Sequence, residues 1–282
     1  MKTTQYCVSR RVEVKTRDQL RSEHCVVIVQ ELIKHLLYMR NQIPGLFEDL
    51  EWQIQAQEQE KDFQVETARL ALLEHTSQQG AALTGGIKQL PRRKRRLQTS
   101  QKRLTKFMHS AKVLLDSIAP QLFTAQQPMH AFIVFGSTAS RPSELYSLAF
   151  PATDQQFGGT PQKAMGDLAR RTIRALVMNT QDMPEGKASA GPTKMFMLAC
   201  SSLQEESIPA GFLYKRGFQI RMKKGIQVHI DLTGAAQPDD MEATGGILPS
   251  TLGSQDNLHW YQCKMVLKGL RSPGGGEVDR AG

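Results

Sequence analysis

Apolar residues recur at helical spacing from Cys25 to Arg40. Val26, Val29, Leu32, Ile33, Leu36 and Leu37 share one arc, and Gln30, Glu31 and Lys34 fall opposite. Tyr38 projects to the polar side, Met39 lies on the edge beside Leu32 and His35, and Pro44-Gly45 predicts the close of the helix. Residues 51–74 permit a helix but are weakly amphipathic, and 76–91 read as loop, so a flexible insertion is expected over about 51–96. A second helix is predicted over 97–123, with Leu97, Leu104, Phe107, Met108, Ala111, Leu114, Leu115, Ile118 and Leu122 as its stripe and Pro120 ending or kinking the last turn.

The period then shortens. "HAFIVFG" reads as a buried strand, "STASRP" as a turn and "SELYSLAF" as the returning strand, an antiparallel hairpin. A third helix is predicted over 161–179, a loop over 186–192, a strand over 193–200, two short strands around Lys224-Gly225 within 218–232, a loop over 233–257 and a closing strand over 258–270. Residues 1–20 carry no period and are expected to be a loose basic arm; 271–282 are expected to be a disordered tail. Helices first, then strands with one helix inserted, predict an α+β fold with helices on one face of an antiparallel sheet.

Composition adds limits. Hydrophobic residues are 40% and charged residues 22%, ordinary for a folded domain of this length. No apolar run approaches the roughly 20 residues of a membrane helix, and the start shows no apolar segment of a secretory signal. Cys7, Cys25, Cys200 and Cys263 have no metal or redox spacing, so free thiols in a reducing compartment are expected. The net charge is +9. Much of it is concentrated in "PRRKRRLQTSQKRLTK", which contains Arg92, Arg93, Lys94, Arg95 and Arg96. Three readings stand: a nuclear import signal, a solvated helix face, or a nucleic-acid patch. The last lacks interleaved aromatics or an Asn/Arg reading helix.

Catalytic motifs are missing. Phosphate-loop and dinucleotide glycine patterns are absent, and Ser137 lacks the second glycine of a nucleophile elbow. His35 and His229 have no metal-spaced partner, and Asp239, Asp240 and Glu242 crowd a glycine-rich loop. No enzyme, metal or cofactor is expected. The third helix carries two apolar stripes, Met165-Leu168-Thr172-Leu176 and Ala169-Ile173-Val177. One can face the sheet. The other, flanked by Arg170 and Arg174, is either buried by the insertion or a partner face with Ile173 as its anchor.

"LLYMRNQIPGLFEDL" resembles the first-helix segment of HORMA domains, in which a tyrosine, an arginine, a proline and an aromatic follow one another; here these are Tyr38, Arg40, Pro44 and Phe47. The order of the long helix, hairpin, third helix and final strands is similar too, over about 25–50, 97–232 and 257–271. The resemblance implies three helices packed on an antiparallel sheet with a C-terminal safety-belt-type region, residues 21–270 forming a single HORMA-like domain. "QELIKHLLYMRNQIP", "ARRTIRALVM" and "LHWYQCKMVLKGLR" look most like the family's checkpoint-adaptor branch. That branch implies a non-enzymatic adaptor in the nucleus and cytoplasm, associated with spindle or kinetochore in mitosis. Its partners would be the closed conformer of the HORMA protein Mad-two (mitotic arrest deficient protein two), the mitotic checkpoint complex and a Pch-two-type AAA+ ATPase, with no membrane or nucleic-acid partner. By position, Met39, Arg40, Ala169, Arg170, Ile173, Arg174 and Val177 would meet Mad-two, and Tyr214, Lys215 and Arg216 the ATPase. The family has a glutamine where Met39 stands and a phenylalanine where Ile173 stands. The alternatives are an adaptor for a meiotic HORMA protein and a nucleic-acid binder acting through 92–106.

Overall fold

The computed structural model describes residues 7–16, 20–75, 92–123, 129–151, 162–183, 192–222, 224–233 and 258–270. Along them run β1 (Cys7–Lys15), α1 (Ser22–Met39), α2 (Phe47–His75), α3 (Arg92–Ser117), β2 (Met129–Gly136), β3 (Glu144–Phe150), α4 (Gln162–Thr180), β4 (Lys194–Ser201), β5 (Phe212–Tyr214), β6 (Gly225–Thr233), β7 (His259–Cys263) and β8 (Leu267–Lys268). The described residues thus form an α+β fold with four α-helices and one sheet in the order β1-β6-β3-β2-β4-β7-β5, β8 pairing with β4.

The strongest sequence patterns became the expected elements. β2 and β3 pair antiparallel from Met129↔Phe150 to Phe135↔Glu144, the predicted hairpin. α1 buries Cys25, Ile28, Val29, Leu32, Ile33, Leu36 and Leu37, so its core arc is centred one step from the expected one and Val26 is only half-buried. At its start the backbone N–H of Arg21 donates to His24 Nδ1 at 3.0 Å. The helix stops well before Pro44. Asn41 takes a left-handed φ of 50°, Gln42 N–H donates to Leu37 O at 2.9 Å and Asn41 N–H to Tyr38 O at 3.0 Å. That pair of bonds is a Schellman closure, with asparagine supplying the conformation glycine more often supplies.

Several expectations are corrected. The N-terminal arm contains a strand: β1 runs parallel to β6 over its full length, Cys7↔Gly225 to Lys15↔Thr233, with Val12 and Val14 buried. The expected flexible insertion is helical over 51–75 and again from Arg92. α2 is anchored at its start by buried Phe47 and Leu50. α3 ends at Ser117, and Pro120 opens a separate 3-10 turn to Phe123. The sheet is mixed: β6 lies parallel to both β1 and β3, and the remaining pairings are antiparallel. The single closing strand is two, β7 and β8, both pairing with β4.

Alternation along the strands makes two cores. Ala131, Ile133, Phe135, Tyr146, Leu148, Met195, Met197, Val228 and Ile230 face the helices. Phe132, Val134, Leu145, Phe196, Leu198 and Trp260 face the other way, where Phe218, Ile220 and Met222 pack on them. Residues 218–222, predicted as a strand, are therefore an irregular covering layer. Their apolar alternation is real, but it serves packing on a sheet face and not membership of the sheet. The predicted loops at 76–91, 186–191 and 234–257, with Asp239, Asp240 and Glu242, and the tail at 271–282 lie outside the described residues.

β6 begins where the chain comes closest to the hairpin. Gly225 has φ +122°, and a Cβ built there would stand 2.0 Å from the carbonyl oxygen of Ser143, which accepts from Ile226 N–H at 3.1 Å. Gly225→Ala is expected to cost roughly 2–3 kcal/mol from backbone strain and the forced shift. Urea unfolding midpoints at unchanged slope would measure it.

Candidate interaction surface on α4 and the end of α1

α4 packs against α1 and β1. Leu168, Ala169, Thr172 and Leu176 are buried on that side, and Thr172 Oγ1 donates to Leu168 O at 3.0 Å, which satisfies its hydroxyl. Ile173 and Val177 sit on the shoulder, half-buried, with Ile173 packed against the core margin. Gly166, two turns before Ile173 on the same side of the helix, has open space where a Cβ would be. Beyond the shoulder stand exposed Arg170, Arg171 and Arg174, and Met178 at 64% exposure. Arg170 Nη1 meets Asp167 Oδ1 at 3.1 Å, an exposed helical pair worth little to stability. The result is an apolar shoulder with a dent at Gly166 and a basic rim, able to receive a shaped apolar surface with acidic margins.

Of the residues expected to meet Mad-two, Arg170, Ile173, Arg174 and Val177 lie together on this surface. Ala169 does not: it is buried with the core stripe. Met39, at the end of the packed neighbour α1, is 48% exposed, with Tyr38 exposed beside it. Arg40 turns inward. Its Nε lies 2.8 Å from Glu144 Oε2 and donates to Tyr146 Oη at 2.7 Å, and Tyr146 Oη donates to Glu144 Oε2 at 3.1 Å. Glu144 is only 2% exposed. Burial pushes its carboxyl above the usual range, and Arg40 and the Tyr146 hydroxyl pull it back. Burial likewise raises the Tyr146 phenol, so it stays a neutral donor.

Tyr214, Lys215 and Arg216 are brought together at the end of the edge strand β5: the Tyr214 ring packs with Tyr261, and the chain then crosses to the other face of the sheet. There, with Arg141 and Arg221, they line a cleft of about 440 Å³. Arg141 and Arg221 carry no sequence signal beyond their charge; only the bond from Arg221 N–H to Ser140 O at 2.8 Å reveals that hairpin turn and covering layer meet. A larger groove of about 810 Å³ between α2 and α3 mixes Glu51 and Glu58 with Lys102, Lys106 and Lys112, and has no single character. Arg92–Arg96 are helical in backbone; their side chains lie outside the description.

Chemistry has little to work with among the described residues. Ser147 Oγ lies 2.6 Å from His229 Nδ1, and Asp231 is two residues along β6. Asp231 Oδ2, however, is held by Arg11 Nε at 2.5 Å, so it does not orient the imidazole as a triad carboxylate would. Burial lowers the His229 pKa, and Arg11 lowers it further against the pull of Asp231. No cluster of three His, Cys, Asp or Glu converges for a metal ion among the described residues. The four cysteines are free thiols, with Cys25, Cys200 and Cys263 buried. No described helix is long and apolar enough to cross a membrane.

No protein-family model matches the chain, and no curated protein is matched by it.

The inward Arg40 yields a pH-dependent expectation. Arg40→Met leaves Glu144 buried without its cation, which costs about 3 kcal/mol at neutral pH. The folded carboxyl, already raised, then rises further and is ionised at a cost in the fold. Lowering the pH toward that raised value lets the fold take up the proton, so the deficit relative to wild type narrows. Urea unfolding of both proteins at pH 7.5 and pH 5 would measure it; a deficit that is equal or larger at pH 5 would contradict the ion-pair account.

Proposed function

We propose that this chain is a non-enzymatic, HORMA-like adaptor resembling the comet protein of the spindle assembly checkpoint. It binds the closed conformer of Mad-two through α4. It presents that complex, or Mad-two within the mitotic checkpoint complex, to a Pch-two-type AAA+ ATPase, which remodels it and silences the checkpoint. The adaptor acts in nucleus and cytoplasm and at the spindle or kinetochore in mitosis, and the ATPase supplies the energy.

One observation carries this reading: Ile173 and Val177 remain partly exposed at the margin of the buried face of α4, next to the exposed Arg170 and Arg174. The apolar stripe of α4 thus extends past its buried part to side chains that solvent reaches. Apolar anchors ringed by arginine are the composition of an interface centre and rim. The order of helices, hairpin and late strands agrees with the resemblance, and so does the exposed Met39 at the end of the helix packed on α4.

The reading is tested by capture. Immobilised chain should retain Mad-two locked closed and release Mad-two locked open; equal retention of both would end it. Ile173→Asp with Met39→Glu should lower closed-form affinity at least about tenfold, because a charge desolvated at an interface is left unpaired. Met39 is 48% exposed, so Met39→Glu alone should leave the melting temperature nearly unmoved and still weaken capture; Ile173 packs on the core margin, so the double variant is read with its melting temperature beside it. Lys215→Glu with Arg216→Glu should leave Mad-two capture intact and abolish capture of the ATPase.

A further inference from the structure

The cleft on the far face of the sheet has a chemistry of its own. Four cationic side chains line it, Arg141 from the hairpin turn and Lys215, Arg216 and Arg221 from the segment between β5 and β6, and among the described residues no carboxylate shares the lining. Among the described residues none of the four makes an ion pair. The scaffold behind them is fixed. Lys215 N–H donates to Trp260 O at 2.8 Å, Phe218 N–H to Lys215 O at 3.3 Å and Arg221 N–H to Ser140 O at 2.8 Å. Phe218 packs edge-on against Trp260 at 5.3 Å, and Gly217 takes a φ of +64° to make the turn. Like charges are thus held in one concavity by backbone bonds, a repulsion that a bound anion relieves.

The neighbouring strand says what kind of anion. Among the described residues β5 ends the sheet and pairs with β7 alone. Lys215 N–H and Gly211 O are both bonded toward β7, so the alternation of an antiparallel ladder turns the N–H and C=O of Tyr214 to the free edge. Leu213 is 48% exposed on the same strand. A free edge beside a cationic cleft accepts an extended polypeptide by strand addition. It suits a nucleic acid poorly. Phe218 packs on Trp260, and the partly exposed Tyr214 ring packs with His259 at 5.6 Å and Tyr261 at 5.7 Å, so the cations are not interleaved with a row of stacking rings.

We infer that the cleft formed by Arg141, Lys215, Arg216 and Arg221, together with the free edge of β5, is a receptor for an extended acidic segment of a partner protein. The segment adds as a strand beside Tyr214 and sets its carboxylates among the four cations. This rests on the adaptor reading only in the part given to Tyr214, Lys215 and Arg216. Arg141 and Arg221 lie outside that reading and are the residues to test.

The probe is a fluorescent synthetic peptide of alternating Glu and Thr, about ten residues long, titrated with the full chain. The same peptide with Gln for Glu should bind at least about tenfold more weakly. Arg141→Ala with Arg221→Ala should weaken the Glu peptide by a similar factor without moving the melting temperature, since both side chains are exposed. N-methylation of alternate peptide bonds should also abolish binding. Equal affinity of the Gln peptide, an unaffected double variant, or an N-methylated peptide that binds as well would each overturn the proposal. So would oligothymidylate displacing the peptide at equal charge, which would make the cleft a general polyanion site. A chain that takes the Glu peptide but not the ATPase would sink the ATPase assignment and leave this receptor standing.

Discussion

A carboxylate buried at the start of β3 governs the layout of this molecule. Glu144 is almost wholly out of water, and an uncompensated charge there would cost several kcal/mol. Its compensation comes from Arg40, delivered by the last turn of α1, with the Tyr146 hydroxyl between them. That demand fixes where α1 ends and how it is rotated. The closure then continues through Gln42, whose carbonyl accepts from Leu270 N–H at 2.8 Å and whose side-chain oxygen accepts from Thr193 N–H at 2.8 Å. One short segment therefore ties the first helix to the hairpin, to the approach to β4 and to the end of the described chain. Because Arg40 turns in, Met39 and Tyr38 remain exposed. The exposed end of α1 follows from the buried charge beside it.

How much of this could be read in advance depended on how local the signal was. α1, α3, α4 and the β2–β3 hairpin were legible because each carries its own period, and neither packing nor partner is needed to see it. β1 was not. Between Ser9 and Lys15 only Val12 and Val14 are apolar, and the strand exists because β6, more than two hundred residues away, offers it a parallel edge. α2 escaped for the opposite reason: its sequence shows almost no amphipathic signal although it is helical, and among its described side chains only Phe47 and Leu50, in the first turn, are buried. On α4 the second stripe was readable as a stripe, but its division was not. Ala169 falls within the core and Ile173 and Val177 outside it, a matter of a few tens of degrees around the helix axis. Arg40 misled because an arginine at a helix end is usually solvated, and nothing local announces the glutamate that draws it in. Arg141 and Arg221 were silent for a related reason: a single arginine acquires meaning only from its neighbours in space.

The mixed sheet gives the fold two working faces. Strands buried on one side alone would leave Phe132, Leu145, Leu198 and Trp260 in water. The segment bearing Phe218, Ile220 and Met222 covers them, and each such side chain contributes on the order of 1.5–3 kcal/mol when fully buried. That covering layer also carries Lys215, Arg216 and Arg221. The packing that protects the second core is thus what holds three cations of the cleft against Arg141.

The two surfaces consequently lie on opposite sides of one sheet: the α4 shoulder with the helices, the cleft with the covering layer. Both are rimmed by arginine, so charge alone would send an acidic partner to either. What separates them is the second component. The shoulder adds Ile173, Val177 and the dent at Gly166, which reward shape and apolar area. The cleft adds a free strand edge, which rewards an extended backbone. A folded partner with a complementary apolar ridge cannot use a strand edge without unfolding locally, and a flexible acidic segment gains little from a shoulder it cannot fill. At physiological salt the screening length is about 8 Å, so exposed charges on one face act weakly on an occupant of the other. On the two proposals, partners of the same charge would be held at once and told apart by form.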